Sequence, residues 1–178
     1  NDYLDQKESL KDFYENYPSL ENFQKQYESK QHNYSVKTRK ILVESLKNQY
    51  VNTAVSAKTQ ENLDFLAKEN TFTITTGHQL NLFTGPLYFL YKIISTINLA
   101  EELSEKYPLQ HFVPVYWMAT EDHDFEEINF FNFEHHKIQW QREASGAVGD
   151  LDTKGLKQVF EKFQTILNDS DQSKHIQS

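Results

Sequence analysis

The sequence predicts an α/β protein in which a parallel strand–helix–strand core follows a helical lead-in. Before residue 71 the chain has no glycine, and its apolar residues recur at helical spacing. From 71 to 119, two β-type runs flank one long apolar helix. The glycines add a third signal: Gly77 and Gly85 are two of only five, and both lie in the stretch "TGHQLNLFTGP" ahead of that helix.

The lead-in, residues 1–70, reads as four short helical segments. Phe13, Tyr14 and Tyr17 run up to a break at Pro18. Ser19 precedes Leu20, Phe23 and Tyr27, and Ser35 precedes Ile41, Leu42, Leu46 and Tyr50. Ser56 or Thr59 precedes Leu63, Leu66 and Ala67. Serine and threonine at such positions cap helices, because the hydroxyl accepts a backbone N–H that the first turn leaves unpaired.

The core is predicted over 71–168. "TFTITT" is rich in β-branched residues and reads as a strand that stops at Gly77, with a loop over 77–85. Pro86 suits the first turn of a helix, where its missing N–H costs nothing. Ile93, Ile94, Ile97, Ala100 and Leu103 give that helix a wide apolar face before Tyr107 and Pro108 end it. "FVPVYWMA" (112–119) is apolar almost throughout, as expected of a strand covered on both faces, and Pro114 argues for a bulge or an edge. Such crossovers are right-handed and parallel, so both strands end on one side of the sheet, where open α/β sheets bind ligands. "INFFNFEHHKIQW" predicts one or two further strands, and "LKQVFEKFQTIL" an amphipathic helix. The polar tail, 169–178, is expected to fray.

Composition narrows the function. Asp and Glu outnumber Lys and Arg by 26 to 18, for a formal charge of −8, which argues against a nonspecific nucleic-acid binder. An apolar fraction of 38% with 13 Phe and 10 Tyr is too high for a disordered chain. With no cysteine, disulfides, thiolate metal sites and cysteine nucleophiles are excluded for this chain. "NDYLDQKESL" lacks the pattern of a signal peptide and no run reaches 18 apolar residues, so the expectation is a cytoplasmic protein with no membrane partner.

Two loops can carry chemistry. In "TGHQLNLFTGP" the glycines lie eight apart, which matches neither the dinucleotide nor the phosphate-loop pattern. A helix N-terminus still favours an anion. Gly85 would let a ligand approach the backbone, Thr84 would cap the helix or touch an anion, and His78 and Gln79 would sit at the strand end. The plain alternative is that Gly77 breaks a strand, Thr84 caps, and His78 bonds a carbonyl. Lys92 would face the loop ligand or snorkel from an apolar face.

The second loop, "TEDHDFEE", packs Glu121, Asp122, Asp124, Glu126 and Glu127 around His123. Crowded like charges raise carboxylate pKa values, which suits acid–base work, and the same residues suit a divalent metal. The alternative is a solvated acidic turn at a helix start. Adjacent His135 and His136 in "EHHK" would point to opposite faces of a strand and make a poor chelating pair.

"TGHQLNLFTGPLYFLYKIIS" followed by "FVPVYWMATEDHDFEEINF" resembles the bacillithiol-biosynthesis cysteine-adding enzyme (cysteine ligase) family. Gln79, Thr84, Gly85, Pro86, Leu87 and Tyr88 match its first motif; Glu121, Asp122, His123, Asp124, Glu127, Ile128 and Asn129 match its second. Residues 71–131 carry the resemblance. His78 and Asn81 stand where many members have glutamine and glycine.

The resemblance implies a Rossmann-like, nucleotidyltransferase-like parallel-sheet core, with this chain a fragment of a longer one. The missing segments would include a coiled coil and the contacts of a homodimer. It further implies a ligase that adds cysteine to glucosaminyl-malate, giving the low-molecular-weight thiol bacillithiol, with ATP and Mg as the activating cofactors. Asp122, His123 and Asp124 would then be catalytic. Gly77, His78, Gln79, Thr84, Gly85, Tyr88, Lys92 and Glu121 would bind substrate. Of the paired-histidine H-x-G-H loop of nucleotidyltransferases only His78 is present, and no K-M-S-K-S-like segment occurs. A metal-dependent hydrolase or transferase on the EDHD loop and a non-catalytic scaffold are the other readings.

Overall fold

The structure is a computed structural model that describes residues 1–83 and 85–177. Its residues group into two compact units that cut across chain order. One is Asn1–Ile74 with Thr96–Val115, the other Thr75–Ser95 with Tyr116–Ser178. Three elements contribute to both: strand β1 (Thr71–Gln79), helix α4 (Leu87–Lys106) and strand β2 (His111–Ala119). β1 and β2 pair in parallel, so the strand–helix–strand unit forms as the sequence predicts.

The first unit holds α1 (Asn22–Asn33), α2 (Val36–Gln49) and α3 (Ala57–Leu66). The Ser35 hydroxyl accepts the Thr38 N–H at 3.1 Å and the Ser56 hydroxyl accepts that of Thr59 at 3.1 Å, the two caps that the serines announced. Residues 8–13 form a 3₁₀ helix, and beside it Tyr3, Tyr14 and Tyr17 cluster edge to face. Val43 and Leu66 pack on Val113, while Ala100, Leu103 and Phe112 pack with Tyr27 and Phe72. Arg39 is buried, with no carboxylate in ion-pair distance among the described residues. Its guanidinium donates to the Leu66 carbonyl at 3.0 Å and lies 5.2 Å from the Tyr34 ring, two contacts that offset desolvation of the charge.

The second unit is built on a hairpin. β3 (Phe130–Phe133) and β4 (His136–Gln139) are antiparallel, with Phe130 opposite Gln139 and Phe133 opposite His136. Glu134 makes the turn with a left-handed φ of 52°; His135 falls in the turn and His136 begins β4. Short α5 (Phe125–Ile128) and α6 (Leu156–Gln164) send Phe125, Ile128, Val159 and Phe163 into a core with Ile138 and Trp140.

Three expectations need correction. The N-terminal half of α4 and the end of β2 are not covered: Leu87, Tyr91, Ile94, Trp117 and Met118 are exposed. The sheet has only two strands, so each has an edge, and Pro114 sits in a strand that has an unpaired side. Strand β1 does not stop at Gly77 but runs through Gln79, because β2 continues beside it to Ala119. The tail does not fray either: α7 (Asp171–Gln177) forms, with the Ser170 hydroxyl accepting the Ser173 N–H at 3.2 Å and the Ser173 hydroxyl donating to Asn168 at 2.9 Å. Among the described residues no helix is long and apolar enough to cross a membrane.

Leu103 is fully buried and Leu109 is 82% exposed. Leu103→Ala is expected to destabilise the protein by about 2–5 kcal/mol in urea melts, and Leu109→Ala by under about 0.5 kcal/mol.

Candidate functional site

The two predicted loops meet within the second unit. The Leu82 N–H donates to the Ile128 carbonyl at 3.1 Å, and the Gln79 amide donates to the Glu127 carboxylate at 2.9 Å. Parallel strands explain the meeting, since both chains leave the sheet at the same end.

Around His78 the polar groups form one network. The Asn81 amide lies 2.9 Å from His78 Nδ1 and donates to the Gln79 carbonyl at 3.0 Å, a carbonyl that His78 Nδ1 also approaches at 3.0 Å. His78 Nε2 and the Tyr88 hydroxyl share a hydrogen bond of 2.7 Å, and Tyr88 is 55% exposed. Phe89 stands edge-on to the imidazole with ring centroids 5.6 Å apart. Tyr116 donates to the His78 carbonyl at 3.0 Å, and burial pushes its phenol above the ordinary value. Tyr116 carried no sequence signal beyond its place three residues before a strand end.

The glycines have other work than the sequence suggests. Gly77 is interior to β1, and a Cβ there would lie 3.3 Å from Trp117. Its carbonyl accepts from the Lys92 ammonium, so Lys92 is held against the strand. Gly85 has a φ of 59°, and a Cβ there would come within 2.7 Å of the Asn81 Cβ. Asn81 therefore stands where a side chain at 85 would be. Thr84, predicted to cap or to touch an anion, lies outside the described residues.

The acidic loop is pinned from behind. Val148 donates to the Asp122 carbonyl at 2.7 Å and Gly149 to that of Thr120 at 2.9 Å. Any side chain at 149 would meet the Thr120 Cβ at 2.5 Å. Asp122 is half-buried, and its carboxylate accepts the Asp124 N–H at 3.0 Å, which turns the chain into α5. Glu121, His123 and Asp124 are exposed. Asn129 is buried, its carbonyl accepting the Trp140 N–H at 2.7 Å and its side chain reaching Glu126 and Gln139. Among the described residues no three His, Asp or Glu side chains converge to hold a metal, so the metal reading lacks a ligand set there.

This is a Rossmann-like α/β domain with a polar site across the ends of two parallel strands. The chain belongs to the bacillithiol-biosynthesis BshC family: a family model described as "Bacillithiol biosynthesis BshC, N-terminal Rossmann-like domain" matches residues 1–178. Relatives named "Putative cysteine ligase BshC" include that of Flavobacterium johnsoniae, 59% identical over 95% of this chain and 32% of its own length. That of Flavobacterium psychrophilum is 57% identical over 98% of this chain and 33% of its own, and that of Christiangramia forsetii 51% over 99% and 34%. The chain thus spans about a third of the length of these relatives.

Gly85→Ala would force a side chain into a left-handed backbone and displace Asn81, and is expected to lower stability by about 1–3 kcal/mol in urea melts. Tyr116 gives a pH signature. Its folded-state pKa is raised above the unfolded value of 10.0, so stability is unaffected by this group below that pH and falls as pH rises beyond it. Tyr116→Phe should lessen the fall in urea midpoint as pH rises above 10.0.

Proposed function

We propose that the full-length protein carrying this chain is a cysteine ligase that joins cysteine to glucosaminyl-malate, the sugar amine attacking the activated cysteine carboxyl and displacing the activating group. The observation that carries this reading is the double tie between the loops, Leu82 to Ile128 and Gln79 to Glu127. It sets Gln79 of the first motif against Glu127 of the second, which supports reading the two motifs as one site, and the names of the relatives suggest the reaction class.

The residues divide the work. Asp122 spends one carboxylate oxygen on the Asp124 N–H, so its first task is to hold the loop. Asp124, exposed beside it, is the base that takes the proton from the attacking amine. His123 shares or orients that proton. Tyr88, hydrogen-bonded to His78 and exposed, offers its hydroxyl to a substrate oxygen. Glu121 adds a hydrogen-bond acceptor at the rim.

An amide forms from a carboxylate only after activation, and ATP with magnesium is the proposed source. The described residues form no metal-binding set of their own, so the ion would have to be held largely by the phosphates themselves. No step assigned here runs through it.

Mass spectrometry of the full-length protein with cysteine and glucosaminyl-malate, with and without ATP and Mg²⁺, tests the reading. Product that needs ATP should fall by about 10²-fold or more in Asp124→Asn and in His78→Ala. Asp122→Asn keeps the oxygen that accepts the Asp124 N–H and should stay within about tenfold of wild type, whereas Asp122→Ala should not. Full activity with Glu121 to Asp124 all replaced by alanine would mean that the segment is scaffold.

A further inference from the structure

We propose that the groove between the β3–β4 hairpin and α6 binds a small polyanion of the phosphate class. The groove has a volume of about 490 Å³, within the range of small-molecule sites. Lys137, Lys154 and Lys162 line it together with Gln139, Gln158 and Trp140, and no carboxylate does. That is unusual ground in a chain with a formal charge of −8.

Arg142 is 2.6 Å from the Asp152 carboxylate, and Lys157, on the same helix as Lys162, pairs with Glu161 at 3.9 Å. Asp152 also accepts the Lys154 backbone N–H at 3.1 Å and attracts its ammonium from beyond ion-pair distance. Among the described residues Lys137, Lys154 and Lys162 form no ion pair, and the Lys137 ammonium lies 4.0 Å from the Phe130 ring centroid. Three like charges on one concavity repel unless an anion joins them, and the glutamine amides add neutral donors beside them.

The frame is set before any ligand arrives. The Trp140 indole N–H donates to the Lys154 carbonyl at 2.9 Å, and Gly155, with a φ of 92°, lets the chain pass where a Cβ would lie 3.0 Å from the Trp140 Nε1. This fastens the backbone of Lys154 to the end of the hairpin. The chemistry of the donors selects the ligand. Lysines offer compact charges with rotating N–H bonds, which suit the several oxygens of phosphate groups; the planar fork that reads a single carboxylate belongs to arginine, and Arg142 is engaged.

None of these residues belongs to the two loops of the ligase reading, so the two proposals fail separately. Calorimetric titration of the full-length protein with pyrophosphate and with a sugar phosphate tests the groove, with citrate as the carboxylate control. Binding of either phosphate below about 1 mM is expected, with affinity falling as salt rises. Preference for pyrophosphate would identify a free anion as the ligand, and preference for the sugar phosphate an organic ester. Lys154→Gln with Lys162→Gln should weaken binding by about tenfold or more, and Lys157→Gln by less than about twofold. These lysines are exposed, so their loss should leave the fold intact, which matching circular dichroism would verify. Undiminished binding in the double variant, equal binding of citrate, or loss with His78→Ala alone would each overturn the proposal.

Discussion

Because β1 and β2 run parallel, the chain leaves both at the same end and needs the whole of α4 to come back. The connection between parallel strands is long for that reason, and its start and finish are brought side by side. Everything proposed for the polar site depends on this. Had the strands been antiparallel, a tight turn would have joined them, and the segment after Gln79 would lie at the opposite end from the segment after Ala119. The loops could not then share the bonds from Leu82 to Ile128 and from Gln79 to Glu127.

Pairing alone would leave two floppy segments, and the molecule stiffens each by a different means. The first loop is fastened through side chains: Asn81 spans His78 and Gln79, and Lys92 reaches back to the Gly77 carbonyl. The second is fastened through backbone, by Val148 and Gly149 arriving from a distant part of the chain. The backbone bonds set where Asp122 and Asp124 stand. An acid or base gains from such placement, because proton transfer demands hydrogen-bond distance.

Much of this was legible in local patterns. Ser35 and Ser56 announced helix starts because a cap is a bond between residues three apart. Pro86 and the isoleucines announced α4, and the turn at Glu134 falls inside the predicted pair of strands. The loop glycines are also needed for a reason the sequence did not show: Trp117 and Asn81 stand where side chains at 77 and 85 would need room. A sequence shows that a side chain is missing but not what fills its place. Likewise, apolar patterning marked α4 and β2 as elements to be buried, but could not say that Leu87, Ile94 and Trp117 stay exposed in a two-stranded sheet.

By itself the sequence determined what depends on neighbours along the chain: element types, caps, the acidic loop, and motifs specific enough to place the chain in its family. Only the tertiary structure decided which distant groups meet. Tyr116 reached His78, Gly149 closed on Thr120, Asp122 was given a holding task, and three lysines from the hairpin, the following loop and α6 came to line one groove. The reason is physical. A cap or a helical stripe is repeated by local geometry wherever its residues occur, while a hydrogen bond between residues far apart exists only after strand pairing and core packing have offset the entropy of bringing them together.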